Sequence, residues 1–265
     1  MTRQLFDRQA DLWAYVRRTD SANEGLVIFV HGFRGSYLST WGDLANFLTH
    51  HADDHDKLAK WDYLFVGYET YSVDTYLNIA KIVASQWAKA SDCAPPFDQN
   101  KYRRLALFAH SLGTLGIRQL LCAVSEQPAG MTDALKATVL FGSPLNGSPL
   151  AGLAGIFKIV DTLKGKPAAA LPGGFRIRHA LKEGNPELEM LRIWCQTMRI
   201  HGKDKFGPIK VIQGTDDQVV GTGKLVSWDG DQVITTPKDH IQMVKITDAG
   251  AATYGTVLDE LKGLP

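Results

Sequence analysis

The chain has 265 residues, 45% hydrophobic and 22% charged, a balance that can bury one large core and excludes the polar, highly charged composition of disordered chains. Lys and Arg total 29 against 28 Asp and Glu, a formal net charge of +1, so no single-sign field is available to draw in nucleic acid. The three cysteines, Cys93, Cys122 and Cys195, are odd in number and lack CxxC spacing, which predicts reduced thiols and no disulfide framework.

Met1 to Arg18 scatters charges among its apolar residues, unlike a secretory signal, and no later stretch reaches the roughly 18 uninterrupted apolar residues of a membrane span. A soluble, cytoplasmic protein is the expectation. Ala10 to Arg17 could supply an antiparallel edge strand. After it, short aliphatic or β-branched runs fall at Leu26 to Val30, Tyr63 to Gly67, Leu105 to Ala109, Ala137 to Phe141 and Ile209 to Gln213. Helix-length segments lie at Trp41 to His50, Thr75 to Ala90, Leu112 to Val124 and Asp248 to Lys262, with a last short strand at Val233 to Thr235. Continuous apolar strands alternating with helices predict an α/β fold, a parallel sheet covered on both faces. Between Pro144 and Pro208 the rhythm breaks into a Gly- and Pro-rich stretch too long for a simple connection. The expectation is one domain over 1–265 with a cap inserted at about 145–207.

Ser111 stands at the turn between an apolar strand and an amphipathic helix, in Ala109-His110-Ser111-Leu112-Gly113. A serine on such a tight turn projects its hydroxyl beyond the sheet edge, and small flanking residues let the turn pack, which is the pattern of a nucleophile elbow with Ala109 in place of the usual first glycine. The competing reading is a buried serine whose hydroxyl caps the helix. His110 should pack behind the elbow, pointing away from the nucleophile. Upstream, the strand ending in Val30-His31-Gly32-Phe33 offers a close backbone approach, and the N–H groups of Phe33 and Leu112 are candidate oxyanion donors. The competing reading makes His31-Gly32 an ordinary strand-ending turn with His31 a packed structural imidazole.

Downstream, the strand entering Gly214-Thr215-Asp216-Asp217-Gln218-Val219-Val220 delivers an acid that could orient an imidazole; Asp217 is favoured over Asp216, though spacing alone does not decide. Of the eight histidines, only His240, in Lys238-Asp239-His240-Ile241, preserves the order nucleophile, acid, base; His179 and His201 come before the acid. The His50 to Asp56 cluster has metal-ligand residue types but reads as a solvated helix end, and Gly221-Thr222-Gly223-Lys224 lacks the spacing of a phosphate loop. No metal is expected.

Through VIFVHGF, AHSLG, GTDDQVV and KDHI, the chain resembles the lipase-like serine esterases of the α/β-hydrolase superfamily. The resemblance implies an eight-stranded sheet, a Ser111–His240–Asp217 triad, an oxyanion hole, no cofactor, and a variable cap between the sixth and seventh strands. FGSPLNGSPLAGLAGIFKIV is similar to the strand-to-cap passage of lipases, where Leu150, Leu153, Ile156 and Phe157 either line an acyl pocket or form the cap's own core. The expected substrate is a small-molecule or lipid-like carboxylic ester. A thioesterase, acyltransferase or amidase with the same triad, or a noncatalytic binding module on the same fold, are the alternatives.

Overall fold

The computed structural model describes residues 3–9, 12–19, 23–33, 35–70, 75–97, 101–123, 130–147, 181, 184–200, 209–220, 228, 230–246 and 256–265. The strands are β1 (Arg3–Arg8), β2 (Trp13–Arg18), β3 (Gly25–Val30), β4 (Trp61–Val66), β5 (Arg104–His110), β6 (Leu135–Phe141), β7 (Ile209–Gly214) and β8 (Gln232–Thr236). The α-helices are α1 (Leu44–His51), α2 (Tyr76–Ser91), α3 (Leu112–Cys122), α4 (Met131–Ala134), α5 (Pro186–Ile200) and α6 (Thr256–Lys262). The eight strands form one sheet in the order β1-β2-β4-β3-β5-β6-β7-β8. All neighbours from β4 through β8 run parallel, and β1 and β2 are antiparallel at the edge.

Both faces of the sheet are covered, which is why its central strands read as unbroken apolar runs. On one face Ile28, Val30, Leu64, Leu107 and Ala109 pack against α2, α3 and α5. On the other, Val27, Phe29, Phe65 and Phe108 pack against α1 and α6. Phe29 centres this second layer, stacked on Phe65 at 4.7 Å between ring centroids and edge-on to Trp41 at 4.9 Å.

Three features depart from the sequence reading. The edge is a hairpin of two strands, because β1, though polar, buries Arg3 against Asp62, Asp53 and the backbone carbonyls of Trp61 and Ala59. Asp62 also accepts hydrogen bonds from Tyr102 and Asn23, so a buried polar network rather than an apolar face fixes the hairpin. Second, the long stretch between β6 and β7 contains the helix α5. Asn185 Oδ1 accepts from the Glu187 and Leu188 amides at its start, and Leu188, Leu191 and Cys195 bury against α3.

Third, Cys122 and Cys195 are not reduced thiols but a disulfide. They lie 73 residues apart in sequence, and no spacing motif announces them; the packing of α5 on α3 brings their Cα atoms to 5.4 Å. Disulfides persist in oxidising compartments and are rare in the cytosol. The cytoplasmic expectation, which rested on reduced cysteines, loses that support. Among the described residues no helix is long and apolar enough to cross a membrane. The disulfide joins a clamp at the far end of α3, where the buried Arg118 guanidinium pairs with Asp231 at 2.6 Å and lies over the Trp228 ring.

Closing a loop of this length by a cross-link is worth about 2–4 kcal/mol. Cys195→Ser should therefore lower the melting temperature by roughly 5–15 °C in a non-reducing thermal scan, and dithiothreitol should lower the wild type towards the same value. An unchanged melting temperature in both would contradict a stabilising cross-link.

Candidate active site

The parallel strands end along one edge, so the loops that follow β3, β5, β6, β7 and β8 converge there. Ser111, at the β5-to-α3 turn, has φ 51° and ψ −123°, in the left-handed region that costs a non-glycine residue about 1–3 kcal/mol. Its neighbours hold it there. Its N–H donates to the Phe141 carbonyl at 2.9 Å, and its carbonyl accepts from the Thr114 hydroxyl at 2.6 Å and the Thr114 amide at 3.0 Å. Having spent its proton on Ser111, the Thr114 hydroxyl accepts from Ser143, 2.6 Å away. The Ser111 side chain makes no capping bond to α3, although it occupies the capping position.

His31 is the packed imidazole, and its bonds assign its tautomer. Nδ1 lies 2.7 Å from the Gly32 carbonyl and so carries the proton, while Nε2 accepts from the Tyr68 amide at 3.1 Å. The Tyr68 ring stacks on it and its hydroxyl bonds the His31 carbonyl. The Gly32 oxygen also accepts from Gly35 N–H at 3.1 Å. In a trans peptide the carbonyl and the next N–H point oppositely, so gripping the Gly32 oxygen fixes the direction of the Phe33 N–H. Glycines bring this loop against the elbow. A β-carbon on Gly32 would come within 2.7 Å of Ser111 Cβ, and one on Gly113 within 2.5 Å of the His31 carbonyl. The amides of Phe33 and Leu112 thus belong to two segments in direct contact.

Asp217 and His240 meet at the ends of β7 and β8. His240 Nδ1 lies 2.8 Å from Asp217 Oδ2, and the other carboxylate oxygen accepts from the Val219 and Val220 amides at 2.9 and 3.1 Å. Burial pushes the Asp217 pKa up, but the bond and charge of His240, with the two amides, outweigh it and hold the carboxyl below its usual range. Asp216 is exposed and, among the described residues, accepts a hydrogen bond from its neighbour Thr215 alone. The geometry therefore separates two adjacent aspartates that spacing could not. Among the described residues, His240 Nε2 is buried without a hydrogen-bond partner. Gly142, directly after the Phe141 that holds Ser111, makes room for the pair: it has φ 54°, and a β-carbon there would approach the His240 ring within 2.9 Å and Asp217 within 3.3 Å.

His110 does not merely pack behind the elbow. Its Nε2 donates to the His240 carbonyl at 2.8 Å, and the two rings lie 4.7 Å apart. Gly142, Ser143, Thr114 and Tyr68 carried no signal beyond ordinary turn and core residues; their roles arise only once β4, β5 and β6 stand side by side. Leu150, Leu153, Ile156 and Phe157, His179 and His201, and the glycine-rich run at 221–224 lie outside the described residues. In the His50 to Asp56 cluster, Asp53 is taken by Arg3, and His51 faces Asp54 at the surface.

The eight-stranded order with an antiparallel edge, an elbow after β5 and an acid after β7 decides the fold. The chain has the α/β-hydrolase fold. A family model described as "Putative serine esterase (DUF676)" matches residues 20–151 of this chain. The mature form of the Bacillus licheniformis lipase BlEst2 superposes with a TM-score of 0.58 at 15% identity, covering 94% of this chain and 97% of that one. A monoacylglycerol lipase from Paleococcus ferrophilus superposes with a TM-score of 0.51 at 13% identity, covering 98% and 99%. At these identities the likeness is one of fold. No curated protein matches the sequence.

Burial pushes the pKa of His31 down to about 4 and that of His110 down to about 3. Both folded values lie below the ordinary 6.5, so as pH falls the unfolded chain takes up these protons first. Each ring thus costs the fold up to about 1.4 kcal/mol per pH unit, from pH 6.5 down to about 4 for His31 and about 3 for His110. Melting temperature should fall between pH 6.5 and 4.5, and His31→Gln should flatten that slope. An equal slope in the variant would contradict a neutral buried ring.

Proposed function

We propose that this protein is a serine hydrolase that cleaves carboxylic esters, with a lipid-like acyl group, by two-step acyl transfer to water through Ser111, His240 and Asp217. The observation that carries the reading is the buried Asp217–His240 bond, which leaves Nε2 of the same ring unpaired among the described residues, while Gly142, next to the Phe141 that holds the strained, uncapped Ser111, lies against that ring. In the first step Ser111 Oγ attacks the carbonyl carbon and its proton passes to His240 Nε2, while Asp217 stabilises the imidazolium. The Phe33 and Leu112 amides receive the oxyanion, each worth about 3 kcal/mol. His240 then protonates the departing alcohol, and water repeats the sequence on the acyl-enzyme. The serine-esterase family match and the monoacylglycerol lipase neighbour support an ester over a thioester or amide, and the stretch 145–207 is the proposed cap.

A fluorophosphonate should label the wild type and fail to label Ser111→Ala, and ester turnover should vanish with the label; equal labelling of both would sink the assignment. Asp217→Asn should lower kcat by about four orders of magnitude, whereas Asp216→Asn should leave it within about twofold. A panel of matched ester, thioester and amide substrates of graded chain length fixes the bond class, with the long-chain ester expected to turn over fastest.

Gly142→Ala tests the convergence itself. A side chain at φ 54° against the His240 ring should lower kcat by about 10–100-fold with the protein still folded by circular dichroism. Full activity in this variant would mean that the pair works from another position.

A further inference from the structure

We propose that His110 is a positioning residue that sets the aim of the His240 ring by holding its backbone carbonyl; this rests on the triad reading above. The imidazole of His240 is steered from two points. Its Nδ1 is fixed by Asp217 at 2.8 Å, and its main chain by His110 Nε2–H, also at 2.8 Å. The rest of the turn is shaped from the far side, where Asp239 Oδ1 accepts from the Ile241 and Gln242 amides. Without the His110 donor, the 240 carbonyl would be a buried acceptor with nothing to replace water, and the turn could rotate to find one.

The chemistry of the ring suits this task. Because a carbonyl only accepts, the proton must sit on Nε2, leaving Nδ1 bare. That bare nitrogen lies against the oxyanion loop, where a β-carbon on Gly32 would come within 3.1 Å of it. His110 thus spans the gap between the segment bearing the Phe33 amide and the segment bearing the base. The titratable groups that face it are His240, Asp217 and His31. Burial and the neighbouring His240 keep it neutral, so it adds no repulsion when His240 becomes an imidazolium.

The test compares two amides of different reach in the full chain. Gln at 110 can place its N–H where Nε2–H now stands, whereas Asn falls short of the 240 carbonyl. For a soluble short-chain ester, His110→Asn should lower kcat by about 10–100-fold with KM within about twofold, and should slow fluorophosphonate labelling of Ser111 by the same factor. His110→Gln should recover both to within about threefold of wild type. Equal impairment of the two variants, or full activity in His110→Asn, overturns the proposal. Should His110→Asn fail to fold, His110→Gln decides alone: activity near wild type supports the role, and a tenfold loss of kcat with an intact melting curve refutes it. A wild-type chain with neither turnover nor labelling overturns the triad reading itself, and this inference with it.

Discussion

The left-handed backbone of Ser111 is the constraint on which the site depends. Where β5 gives way to α3, the chain must reverse within one residue, and a side chain at φ 51° stands out of the turn rather than folding back as a helix cap. That conformation is uphill by itself and persists because β6 and α3 over-determine it. The Phe141 carbonyl takes the serine N–H, and Thr114, itself held by Ser143, takes the serine carbonyl. Further down α3, Arg118 pairs with Asp231, and the disulfide at Cys122 pins the helix to α5. The strain at one end of the helix is met by rigid attachments along the rest of it.

Close approach is the second requirement, and glycines supply it. The loop after β3 can lie against the elbow only because Gly32 and Gly113 carry no β-carbon, and the imidazole can lie beside the end of β6 only because Gly142 carries none. Each of these glycines follows a strand end or opens a helix at the carboxyl edge of the parallel sheet. The topology alone brings the five loops to one place; the small residues let them touch.

Much of this was legible in the residues. The unbroken apolar runs of β3 and β5, and the elbow between β5 and α3, are local signals, so periodicity and motif carry them. The hairpin was read as a single strand because Arg3 is buried by partners at Asp53, Asp62 and Trp61, and no hydropathy pattern reports an ion pair across some 50 residues. The disulfide was missed for the same reason. The choice between Asp216 and Asp217 could not come from spacing, since successive side chains in a turn diverge; the His240 ring and the Val219 and Val220 amides, all meeting one carboxylate, distinguish Asp217. Helix α5 hid in a stretch read by its glycines and prolines.

Three imidazoles sit near the carboxyl edge, and the surroundings give them different work. His31 has a carbonyl on one nitrogen and an amide on the other, so both are committed and the ring is held neutral. His110 has a carbonyl on Nε2 and no acid at hydrogen-bond distance, so burial drives it the same way. Of the three, only His240 meets a carboxylate directly, and its outer nitrogen is buried without a partner among the described residues. An imidazole with both nitrogens committed, or with no acid behind it, can brace a loop but is poorly suited to take up a proton in turnover; one with an acid behind it and a bare nitrogen ahead is well suited. The fold therefore distinguishes the proposed base from its neighbours by what lies behind each ring.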